Sequence, residues 1–369
     1  MAVMWPGAVD KKFAEVVQPN DSAKVLRVVD RPCAETVATR CERVTIKLTS
    51  GDSKGHLGLI QSTNDGIDPT LHVGDGIRVA ESPEVPGYDY GDKLTAYDVT
   101  DFSRGGALLV LFGVFAVLVL VFSRLRGVFS ILGLAVSLGV VLVFIVPAIL
   151  GGKPPVLVAI VGSLAIAMVT IVLCHGRGPK AVAAMLGTIA TLLLTAGLAA
   201  LFTQTTKLTG LSSDELFALR LVDQNVSLTG LLIAGMVIGA LGVLDDVTVS
   251  QSSTVFALRA ANPALTYREL VKHAMEVGRD HVAATVNTLV LAYAGASLPV
   301  LLVFASGALS LPQSASLELV AEQIVGTLVG SIGLIAAVPL TTAIAAGLAR
   351  SMDRDEVLTA AAHGHAHAH

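Results

Sequence analysis

Residues 106–123 read GALLVLFGVFAVLVLVFS, eighteen positions without one charged side chain. An α-helix needs about 20 predominantly apolar residues to cross the ~30 Å hydrocarbon core of a bilayer, and this run nearly fills that length. A core helix of a soluble protein would carry a polar stripe. None is present. Downstream, six more such runs follow at 127–149, 155–174, 180–202, 227–245, 281–305 and 322–349. The expectation for residues 105–350 is an α-helical polytopic membrane bundle of about seven spans.

Composition agrees. Of 369 residues, 53% are hydrophobic and 15% charged, where a soluble domain carries about 25% charged. Mean hydropathy is +0.72. A net charge of -4 and a pI near 6.1 argue against nucleic acid, whose phosphates demand concentrated Lys and Arg. The first partner expected is therefore the lipid bilayer.

Loop charges set the orientation. One set of loops holds Arg124, Arg126, Arg177, Lys180, Arg259, Arg268, Lys272, Arg279, Arg350 and Arg354; the other holds Lys153, Lys207 and Arg220. Lys and Arg collect on the cytoplasmic side, and the bias alternates correctly across every span. The expected location is the cytoplasmic (plasma) membrane, with the C-terminus inside and residues preceding the first span outside.

Those preceding residues change character. Within 8–104, short runs rich in Val, Ile and Leu (Lys24 to Val29, Arg43 to Thr49, His56 to Gln61, Gly76 to Val79) alternate with turn signals such as Ser50-Gly51-Asp52 and Asn64-Asp65-Gly66. A small extracytoplasmic β-barrel-like domain of OB or SH3 type is expected. Residues 81–104, with Pro83, Pro86 and Gly91, read as a connector. Residues 1–7 (MAVMWPG) lack a basic n-region and a cleavage site. They read as the end of a transmembrane helix begun elsewhere, or as a disordered terminus. Cys33 and Cys41 could form a disulfide outside the cytoplasm or stay as two thiols in separate strands.

Two loop segments open with capping-box patterns: Ser212-Ser213-Asp214-Glu215, heading a helix through Leu221, and Thr266-Tyr267-Arg268-Glu269. The second is expected to head an amphipathic helix lying at the cytoplasmic interface. The tail 351–369 ends in His363, His365, His367 and His369, weak candidates for adventitious metal. No metal site or cofactor is otherwise called for.

No GxSxG, HExxH, P-loop or GxGxxG pattern occurs, which disfavours an enzyme and an autonomous ATP-driven pump. The polar residues of interest lie between 230 and 300. Gly235 and Gly239 form a GxxxG, as do Gly326 and Gly330 in the last span, and such pairs let helices approach closely. The fifth run ends in Asp245-Asp246. If its helix continues, Asp246, Ser250 and Ser253 share one face, and a carboxylate at membrane depth is a functional candidate or else a surface cap. The sixth run contributes Arg279, Asp280, Asn287, Thr288 and Tyr293, with Arg279 placed to neutralise Asp246 or Asp245.

The run Gly239-Ala240-Leu241-Gly242-Val243-Leu244-Asp245-Asp246, then Asn262-Pro263, Gly278-Arg279-Asp280, Asn287-Thr288-Leu289 and Ala292-Tyr293, resembles the YibE/YibF-like family. The resemblance covers nearly the whole chain and implies a permease with a β-rich extracytoplasmic domain before its spans. Members of this type would begin with a full transmembrane helix, which this sequence does not show. The acid-ended span and Thr-rich successor are also similar to a hairpin of the SecD/SecF and resistance-nodulation-division membrane proteins, which implies work coupled to proton flow.

The expected function is transport of a solute or ion, with Asp246 as the leading relay site and Asp245 its neighbour. Ser250, Ser253, Asn287 and Thr288 would complete the path, and Arg279 and Asp280 a cytoplasmic gate. The alternative is an envelope scaffold whose outer domain binds a partner. A homo-oligomer or a membrane partner fits either reading.

Overall fold

The structure, a computed structural model, describes residues 21–31, 41–63, 69–82, 95–212, 226–305, 313, 316–352 and 356–357. The expectations for 1–7, for the Cys33–Cys41 pairing, for the helix at 213–221 and for the histidine tail lie outside the described residues. Two compact units meet near residue 121 in the chain.

In the first unit, alternation of apolar and polar residues builds five strands: β1 (Asp21–Arg31), β2 (Cys41–Leu48), β3 (Leu57–Thr63), β4 (Gly76–Glu81) and β5 (Thr95–Phe102). Val25, Val44, Ile46, Leu48, Ile77 and Val79 turn into one core, while Lys24, Lys47 and Arg78 between them face out. The strands close a barrel in the order β1-β2-β3-β5-β4, with β3 and β5 parallel. This is the five-stranded arrangement of an OB-type barrel. The stretch 81–104 is thus not only a connector: its second half is β5, whose period-two pattern (Tyr97, Val99) sits behind a Pro/Gly-rich lead. Gly58 makes the closure fit, since a Cβ there would stand 2.6 Å from the Tyr97 ring.

The helical part comprises α1 (Gly105–Arg124), α2 (Gly127–Leu150), α3 (Pro155–His175), α4 (Pro179–Thr205), α5 (Leu228–Ala261), α6 (Tyr267–Ala296), α7 (Leu298–Ala305) and α8 (Glu318–Ser351). Arg124, at φ 50°, kinks the chain between α1 and α2. A π-turn at Val141–Ile145 precedes Pro147 in α2, where the proline ring displaces the regular carbonyl ladder. Helices α4, α5 and α8 form the centre of the bundle, with α3 against α5 and α6 against both α5 and α8. Their shared core includes Leu192, Val237, Leu244, Val329 and Leu334.

Among the described residues, six helices (α1–α5 and α8) are long and apolar enough to cross a membrane. The seventh expected span, 281–305, is not one helix. Its first part continues α6, and the helix breaks at Ser297 before α7 begins at Leu298, since Pro299 has no N–H to extend the ladder. The interfacial amphipathic helix is likewise corrected. Thr266 does cap α6 through the expected box with Glu269, but the helix runs on without a break. Its buried stripe packs against protein instead of lying on lipid: Leu270 and Ala274 join Val255, Phe256, Ala345 and Ala346, and Gly278 faces Gln251 and Val338. The fifth run also extends well past 245: α5 has 34 residues, about 51 Å of helix against a ~30 Å core.

Candidate functional site

The interior of the bundle is unusually rich in hydroxyls. Thr188, Thr191 and Thr195 of α4, Thr248 and Ser252 of α5, and Thr341 and Thr342 of α8 are all fully buried. Most satisfy themselves locally: Thr191 donates to the Gly187 carbonyl at 2.8 Å and Thr195 to that of Thr191 at 2.8 Å. Between helices, Thr188 and Thr248 share a hydrogen bond of 2.7 Å. Gln251 ties three helices, its Nε2 donating to the Ala274 carbonyl at 2.8 Å and to Thr342 Oγ1 at 2.7 Å. Gly278 makes room for that amide, because a Cβ there would lie 2.8 Å from Gln251 Oε1 and 2.5 Å from Val338.

The paired aspartates divide. The buried stripe of α5 runs Leu241, Leu244, Thr248, Gln251, Val255. At about 100° per residue, Asp246 falls opposite it and Asp245 at its edge. Asp246 accordingly has a 77% exposed side chain, whereas Asp245 turns toward α3 and its Oδ2 accepts a hydrogen bond from Thr170 at 3.1 Å. Asp245 Oδ1 is shut from solvent with no partner among the described residues; Ser163, Thr203, Ser331 and Thr341 hydroxyl oxygens share that condition. The inward carboxylate is Asp245. This reverses the order expected from sequence, where the direction of the buried stripe beyond residue 245 was not visible.

The other expected residues are not brought together. Ser250 and Ser253 lie with Asp246 along α5, half-buried, and bond back to the Val247 and Val249 carbonyls. Arg279, Asp280, Asn287 and Thr288 are exposed on α6. It is His281, not Arg279, that approaches Asp246, at 3.9 Å. Asn287 and Thr288, expected to complete a path with Asp246, do not face into the bundle: α6 packs through Val282, Val286 and Leu289. Tyr293 lies against Gly239 and lines an open cavity of 460 Å³ between α6–α7 and α8. Its walls are apolar apart from Tyr293, Ser297, Gln323 and Thr327, a lining suited to a small, largely apolar molecule. Gly326 and Gly330 admit Met236 of α5 and Leu289 of α6, while Gly235 opens on free space.

Sequence reasoning missed the other end of the bundle. Glu318 accepts from the backbone N–H groups of Thr209 and Gly210 and from the Thr209 hydroxyl, and Glu322 accepts from Ser212 Oγ at 2.7 Å. Two acids of the first two turns of α8 thus clasp the segment that leaves α4. The signal was available as an E-x3-E at the head of an otherwise nearly uncharged run.

Long apolar helices around a hydroxyl-rich interior, joined in the chain to a small β-barrel, define a multispan helical membrane protein. Within that class, the YibE/F-like family model matches residues 111–351, and the chain belongs to this family. No curated protein and no solved structure matches it.

Proposed function

We propose that the protein moves a small solute across the membrane, coupled to a proton or another cation, and that Asp245 is the coupling group. One observation carries the reading: a carboxyl of a membrane-embedded helix keeps one oxygen buried with no partner among the described residues while the other holds a threonine hydroxyl. An ionised group left this way is expensive, so the site favours taking up a proton or cation and releasing it when access changes. The hydroxyls of α4, α5 and α8 supply neutral, polar walls along which such an ion or its water can pass. Asp246, with His281 of α6 beside it, belongs to the outer surface of α5.

In this reading residues 281–305, the later part of α6 with α7, make a seventh span, with the barrel outside the cytoplasm and the C-terminus inside, a sidedness that the Lys/Arg bias supports. Transport, not catalysis, is the work. The test is flux in proteoliposomes loaded with a pH-sensitive dye and challenged with a panel of ions and small solutes. Asp245→Asn keeps size and removes charge; it should abolish solute-driven proton or cation movement, and Asp246→Asn should leave most of it. Wild-type flux in Asp245→Asn, for every solute the native protein moves, would sink the proposal.

A further inference from the structure

We propose that α4 and α8 are counterparts in an inverted-topology repeat, and that two glycine–threonine notches between them form the bearing on which the halves of the bundle move. The assignment of halves rests on the seven-span reading above; the notches themselves do not.

The two helices carry the same motif. Gly187–Ala200 reads GTIATLLLTAGLAA and Gly333–Ala346 reads GLIAAVPLTTAIAA, sharing G-x-I-A-x3-L-T-x3-A-A. In space the motif meets itself reversed. A Cβ on Gly187 would overlap Thr341 Oγ1, and a Cβ on Gly333 would overlap Thr195 Oγ1. Each helix therefore offers its glycine to the other's threonine, eight residues apart on both, about a two-fold axis between the notches. Apolar helices built from a small alphabet share some residues by chance. Chance does not supply a register in which the shared glycine and the shared threonine receive each other twice.

Chain order agrees. Helix α4 closes the run α2, α3, α4, and α8 closes the run α5, α6–α7, α8. A run with an odd number of spans places the next copy upside down, so equivalent helices lie antiparallel, the arrangement of many secondary transporters. The contact is also suited to sliding. Thr195 spends its proton on its own helix and Thr341 has no partner among the described residues, so no hydrogen bond crosses either notch. Pro339, where the other copy has Leu193, frees a carbonyl of α8 between its two notch residues.

Two arms test this on the full-length protein. In the first, Gly187→Ala and Gly333→Ala should lower thermal stability in detergent, and Thr341→Ala and Thr195→Ala respectively, which remove the overlapping hydroxyls but leave the Cβ atoms 3.0 and 3.3 Å from the new methyls, should recover part of the loss. Loss at only one notch, or no rescue, overturns the repeat. In the second, Gly187→Cys/Thr341→Cys is oxidised; the Cβ positions are 3.0 Å apart there and 3.3 Å for Gly333 and Thr195, just below the ~3.5–4.5 Å of a relaxed disulfide. The bridged protein should stay folded and lose flux at least tenfold, with recovery on reduction. Undiminished flux across the bridge overturns the bearing. If the native protein moves nothing, the transport reading fails instead, and the first arm alone decides the repeat.

Discussion

Gln251 is one side chain on which three helices depend. Its amide reaches the Ala274 carbonyl of α6 and the Thr342 hydroxyl of α8 from within α5. Leucine fits the volume but makes neither bond, and a buried polar group left without its partner costs about 1–3 kcal/mol. Gln251→Leu should lower the thermal midpoint accordingly, with the loss felt at the α6 contact; an unchanged midpoint would mean the amide is a passenger. In the barrel, Tyr97 behaves differently. Burial raises the pKa of its phenol above the ordinary value, helped by the nearby acids Glu81 and Asp21. A raised folded pKa means stability intact below the unfolded value near 10 and lost as pH rises through the folded one. Protection of the barrel strands from hydrogen exchange, taken relative to the base-catalysed intrinsic rate at each pH, should therefore fall above pH 10 in the full-length protein, and Tyr97→Phe should remove that fall.

At the scale of elements, the capping box of α6 was legible because its residues are consecutive: Thr266 and Glu269 satisfy each other's backbone within one turn. Thr266→Ala should cost about 1 kcal/mol and fray residues 267–270 in hydrogen exchange. The backbone N–H of Thr266, and then its hydroxyl, hold the Glu269 carboxyl below its usual range. A lowered folded pKa gives a contribution present above the unfolded value and lost as pH falls through the folded one, so the same fraying should appear on acidification. If exchange at this turn ignores both changes, the box is ornamental. Hydropathy runs likewise showed where helices lie, yet not where they stop. Helix α5 continues beyond its apolar run because Val247, Gln251 and Val255 find protein to pack on, a fact of the neighbours. The same gap hid the direction of Asp245, since facing is set by which side Thr170 occupies. Strand β5 escaped notice because Pro83, Pro86 and Gly91 upstream made the whole of 81–104 read as a connector.

For the whole molecule, the Lys/Arg asymmetry makes a testable statement about sidedness. A cysteine in place of Lys54, exposed in a barrel turn, should react with an impermeant maleimide in intact cells, and one in place of Arg350 should react only after permeabilisation. Protection of the first site would invert the arrangement. Helix α5 then has a mechanical consequence. It runs unbroken from Leu228 to Ala261, and Ser252 already touches the Lys180 carbonyl at the base of α4. From Asp245 to the turn at Asn262 is about 25 Å of continuous helix at 1.5 Å per residue. A tilt of about 10° near the carboxylate would swing that turn by roughly 4 Å, so a fluorophore there would work as the pointer of a gauge whose spindle lies inside the bilayer.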